Sequence, residues 1–77
     1  MAKRTKLFEK IKNNPTETTF AQVEKLLIAE GFVLDRVSGS HHIFYRGPVT
    51  FVIPVHKKRV KSVYVKRLIE LIEESEL

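Results

Sequence analysis

Histidines at positions 41, 42 and 56, and the cationic run "HKKRVK" over residues 56–61, are the side chains of this 77-residue chain best equipped for chemistry. An imidazole ordinarily titrates near ~6.5, so at neutral pH it can accept a proton or, once charged, give one away. Lysine and arginine offer fixed charge and donors to phosphate or carboxylate. The stretch "GSHHIF", residues 39–44, therefore raises a question: is one of its histidines a catalytic group, or are both ordinary residues at the start of a strand? Neighbouring side chains of a strand point to opposite faces, so His41 and His42 cannot both enter one site. At most one of them is functional. The same divergence, and the lack of an HxH or HxxxH spacing, argue against zinc, and no metal or other cofactor is expected. The absence of cysteine removes disulfides and thiolate metal sites, which fits a reducing, cytoplasmic compartment.

The elements that must position these residues follow from hydrophobic period and punctuation. Leu7, Phe8 and Ile11 predict a short helix from about Lys3 to Lys12, ended by "NNP" at Asn13 to Pro15. Thr19 and Gln22 have the spacing of a capping box, and Phe20, Val23, Leu26 and Leu27 form the apolar stripe of a second helix that Gly31 closes. The period then changes. "FVLDRV", "HHIFYR" and "VTFVIP" read as three strands punctuated by Ser38-Gly39 and Gly47-Pro48, which predicts a meander. Ser62 is placed to cap a last helix with Val65, Leu68, Ile69 and Ile72 on one side.

The resulting plan is α-α-β-β-β-α over one domain, residues 1–77, and its last five elements have the order of a double-stranded-RNA-binding domain. The fold class is therefore α+β, with two amphipathic helices covering one face of a small antiparallel sheet. A two-residue loop at Gly47-Pro48 would set Phe44 opposite Phe51 and His42 opposite Ile53, on one face. Ile43 opposite Val52 and Tyr45 opposite Thr50 would occupy the other. The first face carries more bulk and makes the better core, which leaves His41 with Tyr45 on the open side; burial of Ile43 and Val52 is the alternative.

Fourteen Lys and Arg against nine Asp and Glu give a formal charge of +5, which points to a polyanionic partner. Lys57, Lys58, Arg59 and Lys61 fall at the entrance to the last helix, where backbone N–H groups also favour an anion, so they form a candidate phosphate clamp. A solvated basic loop is the plainer reading of the same residues. His56 beside them is a solvated residue able to touch phosphate when protonated. No stretch approaches the ~20 apolar residues of a membrane span, and the N-terminus lacks the apolar run and cleavage site of a signal peptide, so no membrane partner is expected.

Taken together, "FAQVEKLLIAEGFVLDRVSGSHHIFYR", "VTFVIPVH" and the basic turn into "YVKRLIELIE" resemble the HicA family, the RNA-cleaving toxins of HicA–HicB toxin–antitoxin pairs. The resemblance runs from about Thr19 to Ile72. Its pieces here are Gly31-Phe32, Gly39-Ser40-His41 with Ile43-Phe44, and Ile53-Pro54-Val55-His56. The family's catalytic histidine follows the Gly-Ser turn, so the resemblance assigns that role to His41 and places His42 at a variable position. It implies a cofactor-independent endoribonuclease of a type II system acting on mRNA and a HicB-like antitoxin as partner. In this chemistry His41 would serve as general acid or base at a ribose 2′-hydroxyl, with Arg46, Lys57, Lys58, Arg59 and Lys61 as RNA-binding residues. Tyr45 and Tyr64 are able to stack a base or donate a hydrogen bond, though either also suits a half-buried structural place. A non-catalytic RNA-binding module is the alternative, since the fold order and basic loop serve it equally. The leading helix is absent from the shortest members.

Overall fold

The computed structural model describes residues 6–74. Along them run α1 (Lys6–Asn13), a 3₁₀ turn (Pro15–Glu17), α2 (Phe20–Ala29), β1 (Val33–Ser38), β2 (His41–Arg46), β3 (Val49–Pro54) and α3 (Ser62–Glu74). The fold is α+β, with one helix ahead of an α-β-β-β-α core, as the period changes in the sequence predict. The portion of the first helix expected over residues 3–5 lies outside the described residues. "NNP" does end α1, but the chain then makes a 3₁₀ turn with Pro15 at its start, where a missing N–H is harmless.

The ends of α2 are closed by local hydrogen bonds. Thr19 Oγ1 accepts from the Gln22 N–H at 3.4 Å, and Gln22 Oε1 accepts from the Thr19 N–H at 3.0 Å, which completes the capping box. At the other end the Gly31 N–H donates to the Ile28 carbonyl at 3.0 Å and the Phe32 N–H to the Leu27 carbonyl at 2.9 Å. That pair of bonds is a Schellman motif, and its left-handed residue is Gly31 at φ 91°. Phe32, buried just beyond it, packs into the core and starts the chain towards β1.

The three strands form an antiparallel sheet in the order β1-β2-β3. Its β2/β3 register pairs Phe44 with Phe51, His42 with Ile53, Ile43 with Val52 and Tyr45 with Thr50, as the two-residue loop at Gly47-Pro48 requires. Phe44 and Ile53 are wholly buried against the helices, joined by Val23, Leu26 and Leu27 from α2 and Val65, Leu68, Ile69 and Ile72 from α3. Each such side chain contributes about 1.5–3 kcal/mol when removed from water. Phe8 and Ile11 of α1 extend the same core, so the leading helix is part of the folded unit. An exposed ion pair between Lys12 and Glu73 also joins α1 to α3, and the Glu73 carboxylate, by hydrogen bond and charge, holds the Lys12 ammonium above the usual lysine range.

The two outer strands differ. Val55 turns its N–H inward to the Ser40 carbonyl at 2.8 Å, so the adjacent Pro54 presents its nitrogen on the outer edge of β3, where a donor is not needed. All residues of β1 are exposed, and the strand carries a bulge between Leu34 and Arg36. The bulge moves Arg36, rather than Asp35, opposite Ile43 on the uncovered face. No helix among the described residues is long and apolar enough to cross a membrane.

Candidate functional site

His41 is the first residue of β2, and the sheet's alternation decides its direction. Phe44 and His42 share the helix side, so His41 stands on the uncovered face with Ile43 and Tyr45. The Gly39-Ser40 turn delivers it there. Gly39 has φ 60° and nothing within 4 Å of the position a Cβ would take, so backbone conformation, not crowding, calls for glycine. A positive φ at the first central residue alone is what a type II′ hairpin requires. Gly47, at φ 56° before Pro48, has the same role at the other end of β2.

His42 does something different. Its ring lies 4.4 Å from the Phe20 ring, and its Nδ1 is 3.4 Å from the Ser40 carbonyl oxygen, a hydrogen bond in the tautomer that carries the proton on Nδ1. The adjacent histidines are thus divided between the two faces: one exposed, one half-buried against α2.

Opposite His41 in the register is Pro54, so the chain leaving β3 emerges at the same end of the sheet as His41. It makes a closed two-residue hairpin. The His56 N–H donates to the Arg59 carbonyl at 3.0 Å and the Arg59 N–H to the His56 carbonyl at 2.9 Å. Both central residues, Lys57 and Lys58, have positive φ, at 52° and 65°. This is the pattern of a type I′ turn, in which Asn and Gly are the usual occupants. The turn is docked: the Phe20 N–H donates to the Lys58 carbonyl at 2.9 Å, and Thr19 bridges to Arg59. Phe20 consequently links the basic hairpin through its backbone to His42 through its ring.

Lys57, Lys58, Arg59 and Lys61 are all exposed. His56, Arg59, Lys61 and Ser62 line a depression of about 270 Å³ with Thr16 and Val60, beside the start of α3. The Lys61 carbonyl accepts from the Tyr64 and Val65 N–H groups at 3.0 and 3.3 Å. Lys61 therefore occupies the N-cap place that the sequence suggests for Ser62, and Ser62 is the first helical residue. Tyr64 is half-buried against the core.

Arg46 is not brought to this group. It lies at the far end of β2, its Nη1 donating to the Glu30 carbonyl at 2.8 Å and its guanidinium 4.7 Å from the Phe32 ring centre. It ties β2 to the end of α2. Arg36 is the cation that sequence reasoning missed: two-thirds exposed and paired with Asp35 at 3.0 Å, it joins the uncovered face only because of the bulge. No sequence signal marks that bulge. Among the described residues, no cluster of three or more His, Asp or Glu side chains could hold a metal ion.

The arrangement can do two things chemically. An exposed imidazole can exchange protons with a ligand on the uncovered face, and the exposed cations of the hairpin, docked on α2 at the same end of the sheet, can hold phosphates.

Comparison with known proteins bears on the family of the chain. A family model described as the HicA toxin of bacterial toxin–antitoxin matches residues 20–73, from the first residue of α2 almost to the end of α3. No curated protein and no solved structure matches. The matched segment contains the Gly39-Ser40 turn, His41 and the basic hairpin, leaving α1 outside it, and it covers well over half of the chain. On that match, the chain belongs to the HicA family, the toxin half of bacterial toxin–antitoxin pairs.

Proposed function

We propose that this protein is the toxin of a type II pair and cleaves mRNA without a cofactor, with His41 handling the proton. The observation that carries the reading is the placement of His41: exposed, first in its strand, on the uncovered face and at the end of the sheet from which the basic hairpin emerges. The reaction it suits is transesterification. The ribose 2′-oxygen attacks the adjacent phosphorus while the imidazole takes its proton; the bond to the 5′-oxygen breaks, and that oxygen takes a proton from solvent water, to which the imidazolium then returns the one it accepted. A 2′,3′-cyclic phosphate and a 5′-hydroxyl result. General acid–base assistance of this kind contributes roughly 10²–10⁴-fold, so holding the RNA in line must supply the remainder. Lys57, Lys58, Arg59 and Lys61 are assigned that role. Arg46, engaged at Glu30, serves to hold β2 in place.

Family membership implies an antitoxin. A HicB-like protein with an acidic surface would cover His41 and compete with RNA for the cations of the hairpin.

The test is incubation of the folded chain with single-stranded RNA in the presence of EDTA. Cleavage should proceed, leave a 2′,3′-cyclic phosphate, and stop when a 2′-deoxynucleotide replaces the one at the cut. RNA that is bound but never cut would identify a binding module instead.

A further inference from the structure

Besides His41, the uncovered sheet face presents one aromatic ring. Tyr45 lies on the central strand, 42% exposed, with Val33 across from it on β1 and Thr50 across from it on β3. Val33 is 52% exposed and Val52, diagonal to Tyr45 on β3, is 40% exposed. Its partners directly across the sheet, Val33 and Thr50, are short side chains, so the exposed part of the Tyr45 ring is open to whatever lies on the face. The same face carries His41, four residues away and therefore roughly 13 Å along the strand. Between them stands the row of Arg36 and Ile43.

We propose that Tyr45 is a stacking platform for one unpaired base of the RNA and holds the strand on this face. This rests on the ribonuclease reading, and it narrows the substrate to single-stranded RNA. Bases paired in a duplex do not expose their flat faces, whereas an unpaired base stacks on an aromatic ring whatever its identity. The spacing places that base away from the scissile bond. Stacked nucleotides advance roughly 3.4 Å each, and about twice that when the strand is stretched, so the span to His41 corresponds to about two to four nucleotides. Arg36 sits along that path, where a phosphate would pass. A protein partner is the competing occupant of an apolar sheet face; the proton-transfer group on this face and the chain's charge of +5 favour the polyanion.

The chain's composition supplies the experiment. With no tryptophan and two tyrosines, Tyr64→Phe leaves Tyr45 as the sole emitter. In a full chain also carrying His41→Ala, a single-stranded RNA oligonucleotide should quench that emission, while a duplex of the same sequence and heparin should not. Tyr45→Leu, which keeps apolar bulk but removes the ring, should weaken single-strand binding by about tenfold, and Tyr45→Phe should bind like the parent. With His41 intact, Tyr45→Leu should also raise KM for single-stranded RNA about tenfold while leaving kcat nearly unchanged, whatever the base two to four nucleotides from the cut. Equal quenching by heparin, unchanged affinity in Tyr45→Leu, or no RNA-dependent quench would overturn the proposal, the last leaving the face to a protein partner. Quenching in the His41→Ala chain, with a parent chain that never cleaves, would keep the platform and remove the ribonuclease reading. Normal cleavage with an unaltered KM in Tyr45→Leu would do the reverse.

Discussion

The turn before His41 and the turn after His56 are both two-residue hairpins at one end of the sheet, and they obey different rules. Gly39 takes its positive φ with no Cβ to strain and no neighbour to crowd it. Lys57 and Lys58 take theirs with full side chains, where non-glycine residues cost on the order of 1 kcal/mol each. The first turn follows local backbone preference. The second is held against that preference by its own pair of hydrogen bonds and by the Phe20 N–H on the Lys58 carbonyl. The difference shows where side-chain chemistry prevails over conformational ease: a histidine is aimed by a relaxed turn, while two adjacent lysines are displayed on a strained one.

Of the two turns, the strained one should give the larger effect on RNA binding. Replacing Lys57, Lys58 and Arg59 together by glutamate should weaken RNA binding by more than roughly tenfold and flatten the log–log salt dependence by about 0.7–0.9 for each phosphate left without its cation. Thermal stability should barely move, because exposed charges contribute little to it. A salt slope equal to that of the parent in a filter-binding titration would reduce the hairpin to a solvated loop.

The relaxed turn should respond in stability as well as in activity. Gly39→Ala puts a Cβ at φ 60°, a destabilisation of about 1–2 kcal/mol, which denaturant melts can read. His41 would be displaced with the turn, so cleavage should fall even at temperatures where the variant is folded. A variant as stable and active as the parent would show that the turn does not need glycine.

The smallest effect sharpens the comparison most. Lys57→Asn with Lys58→Gly supplies the residues a type I′ turn prefers, and should raise stability by about 1 kcal/mol while weakening RNA binding. If stability falls instead, the lysines are not held in a strained conformation.

Much of this architecture is legible in the sequence. Thr19 and Gln22 announce a helix start because a capping box is a local, reciprocal pair of hydrogen bonds. The two-residue Gly47-Pro48 loop fixes which residues of β2 and β3 face each other, and the bulk of Phe44, Phe51 and Ile53 then identifies the buried side, so that the outward direction of His41 follows. What cannot be read there depends on tertiary partners. The bulge that turns Arg36 outward leaves no glycine or proline behind it. The hairpin at Lys57-Lys58 lacks the residues that signal such a turn, since its conformation is imposed by docking on α2. Arg46 reads as one more cation until the Glu30 carbonyl and the Phe32 ring are seen to hold it. Likewise Lys61, not Ser62, receives the first bonds of α3, a difference of one residue that backbone geometry alone decides.

The division of labour between His41 and His42 is the central claim, and their cleavage rates compared side by side test it most directly. Both alanine variants are first shown to be folded by circular dichroism, since His42→Ala also removes the ring that packs against Phe20. His41→Ala should then lose roughly 10²-fold or more of the cleavage rate on single-stranded RNA, while His42→Ala retains a substantial part of it. Equal losses in two folded variants, or a greater loss in His42→Ala, would contradict the account.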